Sequence, residues 1–323
     1  MLVDPFGRPL HYLRLSVEDA CNSRSVYGRP GRHRGDPEPP LSVVEIRRLV
    51  AAFAGLGFWK VRLTGGEPTL RGDIVEIVRT VAGVPGVRCA ALTTNGYRLA
   101  GLARELKDAG LSAVNVGVDS LERARFAQLA GRDKLPAVLA GVDACVQAGI
   151  AGVKVNVVLM RGVNDAETDA FLERARATPV TVRFIELMRT EAGSDLFERR
   201  HLPAPGLVTR LLDGGWKELP RRPGDGPARR FAREGDAGEV GVVAPYDPGF
   251  CSNCNRLRVD SRGRLRLCRF AEPGPSLRQW LASEDDAQAL QSRVRELVAR
   301  KEASHGLREG RLGEARKLAA GGD

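Results

Sequence analysis

Six short apolar segments alternate with helical patterns, and this alternation limits the possible folds more than any other feature of the chain. The apolar segments lie at 13–17, 60–64, 89–94, 114–118, 153–159 and 182–187. Apolar positions at three- and four-residue spacing predict helices over 41–57, 72–83, 98–109, 121–131, 135–148 and 166–176. Strands alternating with helices pair in parallel through right-handed crossovers, and near-continuous apolar strands are covered on both faces. The pattern predicts an α/β fold, a partial TIM-type (βα)6 barrel.

The regular pattern ends near residue 190, where short pieces rich in proline and glycine begin. The segment 220–230 is typical of a linker-like loop. We therefore expect two units: a partial barrel over 1–190 and a C-terminal extension over 191–323 that carries a metal site.

Three cysteines define that metal site. Cys251, Cys254 and Cys268 form a C-x2-C-x13-C pattern, and the segment between the second and third is typical of a hairpin with Gly263 in its turn. Structural zinc sites and Fe–S clusters usually have four protein ligands, so three thiols leave one coordination position open. The hairpin also brings Arg256 and Arg258 toward the metal, and guanidinium groups bind phosphate well.

Composition narrows the class of protein further. The 323-residue chain is 43% hydrophobic, has no apolar run of membrane-spanning length, and does not begin with a signal-peptide pattern, so we expect a cytosolic protein. Six cysteines in so long a chain do not suggest a disulfide framework. A net charge of +10 with only 5% aromatic residues favours an anionic small-molecule substrate over nucleic acid.

Several predicted strands carry a charge inside an apolar run or end in a polar turn. The strand charges are Arg14, Arg62, Lys154 and Arg183. If at least three point into the barrel, a nucleoside triphosphate is the natural counterpart, and structural pairing is the alternative. The second strand ends in the turn Thr64–Pro68, whose paired glycines permit close backbone approach to a ligand, although an ordinary turn explains them equally well.

The order of these motifs resembles the MoaA family of GTP 3′,8-cyclases, radical S-adenosylmethionine enzymes that open molybdenum cofactor biosynthesis. The likeness is carried by RLTGGEP, LTTNGYRL, VKVNVVLMRGVND, VRFIELM and FCSNCNRLRVDSRGRLRLC, and it extends over nearly the whole chain. It implies an incomplete TIM-type barrel with two [4Fe–4S] clusters. The N-terminal cluster binds S-adenosylmethionine, and the open iron of the C-terminal cluster engages the guanine of GTP. The product is 3′,8-cyclo-7,8-dihydro-GTP, passed to cyclic pyranopterin monophosphate synthase, and a homodimer is possible.

The resemblance also assigns residues. GTP contacts fall on Arg14, Arg62, Thr93, Lys154, Arg256 and Arg258. The S-adenosylmethionine site falls on Tyr27, Gly66, Glu67, Gly117 and Met188. Ligands of the second cluster are Cys251, Cys254 and Cys268, and Cys21 is what remains of the first cluster.

The chain departs from the family at the first cluster, which is held there by a C-x3-C-x2-C pattern. Here Cys21 is followed by Ser25 and Gly28 at the other two ligand positions, and neither replaces a thiolate. Gly117 stands where the family usually has serine, and Asp323 extends a tail that ends there on two glycines. We expect no turnover from the sequence as it stands.

Two explanations of this departure stay open: a genuine homologue that lacks the first cluster, or an out-of-frame stretch within 28–40, which resequencing would identify. Two other functions also stay open. One is a non-catalytic GTP or metal sensor on the same barrel, and the other is a zinc-ribbon nucleic-acid binder, which would be colourless and would bind DNA with steep salt dependence.

Overall fold

The computed structural model describes residues 1–26, 38–190, 193–222 and 224–310. Its principal sheet begins with six strands: β3 (Tyr12–Ser16), β4 (Lys60–Thr64), β5 (Cys89–Thr94), β6 (Leu111–Gly117), β7 (Gly152–Leu159) and β8 (Thr181–Glu186). All six run parallel in sequence order. They match the six predicted apolar segments closely, and the prediction of an α/β partial TIM-type barrel is confirmed.

Helices pack against this sheet. They are α1 (Val43–Gly55), α2 (Ile74–Ala82), α3 (Leu99–Asp108), α4 (Arg123–Ala130), α5 (Leu135–Gln147) and α6 (Thr168–Ala177). In α1, Ser42 and Glu45 form a reciprocal capping box, and the helix buries Ile46, Leu49 and Phe53. Such a box satisfies two backbone N–H groups that a helix start otherwise leaves unpaired. The apolar spacing and the cap together explain where this helix begins and which face it buries.

The C-terminal extension adds strands to both edges of the same sheet. It contains α7 (Ser194–Arg200), α8 (Ala204–Asp213), β9 (Lys217–Leu219), β10 (Arg229–Ala232), β11 (Glu239–Val243), β12 (Arg256–Val259), β13 (Leu265–Arg266) and α9 (Ala287–Val298). Strand β11 pairs in parallel with β8, and β12 pairs in parallel with β3. The sheet order is β13-β12-β3-β4-β5-β6-β7-β8-β11-β10-β9, so the extension lengthens the barrel wall to eight parallel strands in the described ranges.

The predicted hairpin after the cysteine pair is confirmed. Strand β12 pairs antiparallel with β13, and Gly263 lies in the turn with φ of +82°, a conformation that glycine adopts without strain. A separate short hairpin at the N-terminus joins β1 (Leu2–Val3) to β2 (Pro9–Leu10).

The segment predicted as a linker-like loop, 220–230, packs on the barrel instead. The Lys60 ammonium donates to the Gly224 carbonyl at 2.8 Å, and Asn255 Nδ2 donates to the Asp225 carbonyl at 3.1 Å. The prediction of a linker was therefore wrong for the residues described there. The cause is that proline and glycine mark irregular backbone, whether it is free or packed. Across the described ranges, the helices are too short or too polar to cross a bilayer.

Candidate active site

Two rows of polar side chains cross three neighbouring strands of the barrel. In the first row, Arg256 of β12 is in register with Tyr12 of β3, which is in register with Lys60 of β4. In the second row, Arg258, Arg14 and Arg62 are in register on the same strands. Side chains two residues apart on a strand lie on the same face, so both rows lie on one face of the sheet. The register thus concentrates five basic groups and one phenol there.

These rows contribute to a cavity inside the barrel, which we term the cation cavity. Its basic lining residues are Arg14, Lys60, Arg62, Lys154, Arg183 and Arg256. The four charged side chains predicted on separate strands therefore all line this one cavity. Burial lowers the pKa of Lys154 to about 8, and the nearby Arg183 and Arg62 guanidiniums add to this effect. A cavity with this surplus of positive charge is suited to a polyanion.

Tyr12 lies buried among these cations. The Nε–H of Arg62 donates to the Tyr12 hydroxyl oxygen at 2.6 Å, and the Lys60 ammonium lies 4.9 Å from the centre of the ring. Burial alone would raise the pKa of Tyr12, but Arg62 and Arg14 outweigh it and lower the pKa to about 7. The same Arg62 donates to the Leu92 carbonyl at 2.8 Å, so its guanidinium is held in place before any ligand arrives.

A second cavity, which we term the loop cavity, adjoins the first, and Ile185 and Met188 line both. It is lined by Cys21, Ser23, Ser25, Gly65, Gly66, Thr93, Thr94, Asn95, Tyr97, Gly117, Asp119, Phe126, Ala130, Asn156, Val158, Glu186 and Arg269. The predicted residues Gly66, Gly117 and Met188 are brought together here. Thr93, predicted to contact GTP, lies on this side, within 3.4 Å of Arg62 Nη1. The predicted Tyr27 falls outside the described residues, as do Gly28 and Asp323.

The paired glycines after β4 serve the neighbouring loop. A Cβ on Gly66 would lie 2.3 Å from the Ala20 carbonyl oxygen and 2.5 Å from that of Asp19. The Gly66 N–H donates to the Glu18 carbonyl at 2.7 Å, and the Glu67 N–H to the Ala20 carbonyl at 2.8 Å. The close approach predicted for a ligand is thus made by the backbone that leads to Cys21.

Glu67 is buried and organises the same turn. Its carboxylate accepts hydrogen bonds from the Thr69 N–H and hydroxyl, the Thr94 hydroxyl and the Asn95 N–H, at 2.6–2.9 Å. Burial raises the pKa of Glu67, although these hydrogen bonds act against it. The side chain is not among the lining residues of the loop cavity, so its place in the S-adenosylmethionine site stays a prediction.

The N-terminal loop offers one sulfur to the loop cavity. Cys21 and Ser25 both line it, and burial raises the pKa of the Cys21 thiol. Gly28 has no side chain to contribute. The residues present therefore do not fit a [4Fe–4S] cluster at this loop.

The C-terminal cysteines have a different setting. Burial alone would raise the pKa of Cys254, but Arg256 and Lys301 outweigh it and lower the pKa to about 6, so its thiolate forms at neutral pH. Burial raises the pKa of Cys251, and the charges of nearby Cys254 and Cys268 contribute in the same direction. All six cysteines of the chain are free thiols. This chemistry fits a thiolate-bound cluster.

Within the described ranges, no three His, Cys, Asp or Glu side chains form a ready-made metal-binding group. We predict iron at the C-terminal cysteines from their spacing and their charged surroundings alone. The site at Cys251, Cys254 and Cys268 thus stays a prediction. Arg258 is buried, and its charge contributes to lowering the pKa of Cys254. It is not among the residues that line the cation cavity.

Tyr12 and Lys60 were not predicted from the sequence to belong to the site. Both lie two residues before a predicted arginine on the same strand, at the position that shares its face. Period-two spacing was therefore the signal that could have identified them. Lys301 was not predicted either, because it lies 47 residues from the Cys254 that it contacts and no local pattern marks it.

Two family models match consecutive parts of the chain. Residues 16–175 match the Radical SAM superfamily, and residues 180–307 match Molybdenum Cofactor Synthesis C. The structure is similar to that of Streptococcus suis SuiB, with a TM-score of 0.60 at 12% identity over 97% of this chain and 73% of that one. At this identity the likeness establishes the fold alone.

Similarity to curated proteins is much higher. The GTP 3′,8-cyclase of Aeromonas hydrophila is 46% identical over 99% of this chain and 95% of its own length. The GTP 3′,8-cyclase of Edwardsiella ictaluri is 47% identical over 98% of this chain and 97% of its own length. The chain therefore belongs to the GTP 3′,8-cyclase family of the radical SAM superfamily.

Proposed function

We propose that this chain belongs to the first step of molybdenum cofactor biosynthesis, the conversion of GTP to 3′,8-cyclo-7,8-dihydro-GTP, and that its own residues perform the GTP-binding part of that step. The cation cavity is the observation that carries the proposal. Among its described lining residues are six basic side chains and one acidic one, Asp225. That carboxylate also lies 3.2 Å from Arg230, which is outside the lining, so basic side chains outnumber acidic ones among the described lining residues.

The triphosphate is the part of GTP that such a cavity would bind most strongly. Guanidinium groups donate paired hydrogen bonds to phosphate oxygens, and charge-assisted hydrogen bonds are about twice as strong as neutral ones. Arg14, Lys60, Arg62, Lys154 and Arg183 are the candidates for these contacts. Arg62 is already held by Tyr12 and by the Leu92 carbonyl, so less side-chain entropy is lost on binding.

The cysteine hairpin would hold the group that binds the base. Cys251, Cys254 and Cys268 would be the thiolate ligands of a [4Fe–4S] cluster, and Arg256 both lines the cation cavity and favours the Cys254 thiolate. When bound, a cluster with three protein ligands supplies an iron with an open coordination position. The residues of the cation cavity would then hold the triphosphate, and Arg256 would join that cavity to the cysteine hairpin.

The radical part of the reaction has no complete site in this chain. Its N-terminal loop carries one thiol where the family pattern has three, so we derive no step through a cluster at that position. The chain as it stands is proposed to bind GTP without converting it. The S-adenosylmethionine contacts assigned to Gly66, Glu67, Gly117 and Met188 stay predictions, as do the downstream synthase as partner, a homodimer and a cytosolic location.

The experiment is calorimetric titration of the anaerobically reconstituted protein with GTP, guanosine and inorganic triphosphate. We expect GTP to bind more tightly than either fragment, because the cation cavity and the cluster each bind one part of it. A colourless zinc-containing protein, or equal affinity for GTP and guanosine, would contradict the proposal. The matched control is Arg104→Gln, which removes an exposed arginine on α3 and should leave GTP affinity unchanged.

A further inference from the structure

A buried group of charges lies behind Cys254 and has no place in the function described so far. It consists of Asp4 and Arg8 from the N-terminal hairpin and Lys301, which follows α9. These side chains are 4%, 6% and 4% exposed, so all three charges are held away from water. Buried charges are retained in proteins only when they have partners.

The contacts within this group pair two of the three charges. Arg8 Nε donates to Asp4 Oδ2 at 2.6 Å. The rest of the Arg8 guanidinium donates to backbone carbonyls of Cys251, Glu302 and Ala303 at 2.6–2.9 Å. Arg8 therefore neutralises Asp4 and also joins the cysteine loop to the segment that carries Lys301.

Lys301 supplies the remaining charge. Its ammonium lies 3.9 Å from Asp4 Oδ2 and donates to Cys254 Sγ at 3.7 Å. One carboxylate cannot balance two buried cations, so the group has one positive charge in excess, next to a sulfur.

We infer that Lys301 is a positioning residue that sets the reduction potential of an iron–sulfur cluster held by Cys251, Cys254 and Cys268; this inference rests on the proposed function. Hydrogen bonds to cluster sulfurs and nearby charge are the means by which a protein tunes such a cluster. Reduction adds one negative charge to the cluster, and a fixed buried cation stabilises that charge. Lys301 therefore raises the potential, and the Asp4–Arg8 pair holds it in position.

The Lys301→Met variant is suited to the test because it leaves Asp4 and Arg8 as a neutral pair and places an apolar chain of similar length in the same space. Lys301→Gln keeps a donor without the charge. Lys217→Met is the control, since Lys217 is exposed on β9. Each full-length protein is reconstituted anaerobically, its iron is counted, and its cluster is titrated electrochemically while the reduced form is followed by electron paramagnetic resonance.

We expect the Met variant to retain iron and to have a lower midpoint potential. The ratio of reduced to oxidised cluster at a fixed potential should fall about tenfold, or about 59 mV for a one-electron couple. The Gln variant should lie between Met and wild type, and Lys217→Met should match wild type.

Two results would overturn the inference: an unchanged potential in a Met variant with full iron content, or loss of the cluster from both variants, which would make Lys301 an assembly residue. The iron count of the wild-type protein, made before any potential is measured, tells failure of the proposed function apart from failure of this inference. A chain that takes up no iron at the C-terminal cysteines would reject both proposals together.

Discussion

Two cysteine-bearing loops face the same barrel, and they differ in how much of a cluster site each provides. The N-terminal loop brings Cys21 to the loop cavity with a raised thiol pKa. The C-terminal hairpin brings three cysteines, of which Cys254 has its pKa lowered to about 6 against the effect of burial, by Arg256 and Lys301. The comparison indicates that the C-terminal loop has the number of thiols and the charged surroundings that we propose for a cluster site, whereas the N-terminal loop has one thiol where three are needed.

Restoring the missing thiols of the N-terminal loop should reduce the difference in iron binding between the two loops more than any other change. In the double variant Ser25→Cys and Gly28→Cys, the loop regains the C-x3-C-x2-C spacing. We expect the iron content to rise from one cluster to two per chain, and reductive cleavage of S-adenosylmethionine to become detectable as 5′-deoxyadenosine. Ser25→Cys alone is the matched control, because two thiols still leave the site short. An unchanged iron content in the double variant would show that the N-terminal loop lacks more of a cluster site than its cysteine ligands.

Removing a C-terminal thiol should abolish iron binding altogether. Cys254→Ala deletes the cysteine whose pKa is lowered to about 6, and we expect iron to fall to background and GTP affinity to decrease. Cys89→Ala is the control, since Cys89 lies on β5, away from both cysteine loops. Iron analysis with visible absorbance checks both proteins. Retention of a full cluster in Cys254→Ala would place the iron elsewhere.

The cation cavity can be tested by neutralising one of its charges. Arg62→Gln should weaken GTP binding about 10- to 100-fold, since a hydrogen bond to a charged group contributes about 1.5–3 kcal/mol. Guanosine affinity should change much less, because guanosine lacks the triphosphate. Calorimetry with GTP and with guanosine separates the contribution of the triphosphate from that of the nucleoside. An equal loss for GTP and guanosine would assign Arg62 to the base or to folding.

The paired glycines can be tested through the loop that they approach. Gly66→Ala places a Cβ 2.3 Å from the Ala20 carbonyl oxygen, so we expect the free energy of unfolding to fall by about 1–3 kcal/mol, the usual cost of overpacking. Gly72→Ala is the control, because nothing lies within 4 Å of a Cβ at that position. Denaturant unfolding of both variants measures the difference, and equal stability would show that the Cys21 loop is free to move.

The smallest expected effect is a pH dependence of GTP binding. Lys154, with a pKa of about 8, loses its positive charge as the pH rises through that value, and Tyr12, with a pKa of about 7, gains a negative one. Both changes make the cavity less positive, so affinity should fall several-fold between about pH 7 and pH 9. Lys154→Met should remove the upper part of this dependence and Tyr12→Phe the lower part. A flat wild-type profile would contradict these protonation states.

Much of the barrel could be predicted from the sequence, because its strands and helices are set by local spacing. Local spacing also identified four residues of the cavity lining, because each is a charge within an apolar strand: Arg14, Arg62, Lys154 and Arg183. Their convergence on one cavity depends on strand register, which no single segment specifies.

Contacts between distant segments could not be predicted. Strands β11 and β12 join opposite edges of the barrel sheet, and neither pairing follows from a nearby sequence pattern. Lys301 contacts Cys254 from a segment 47 residues away, and Arg8 joins the two segments through their backbone carbonyls. The closeness of the Cys21 loop to Gly66 likewise depends on backbone packing rather than on composition.

The most direct test of the contrast between the two loops is the iron content of the wild-type chain after anaerobic reconstitution. One complete C-terminal site and an incomplete N-terminal one predict about four iron atoms per chain, all lost in Cys254→Ala. A content of about eight iron atoms per chain, with about half retained in that variant, would contradict it.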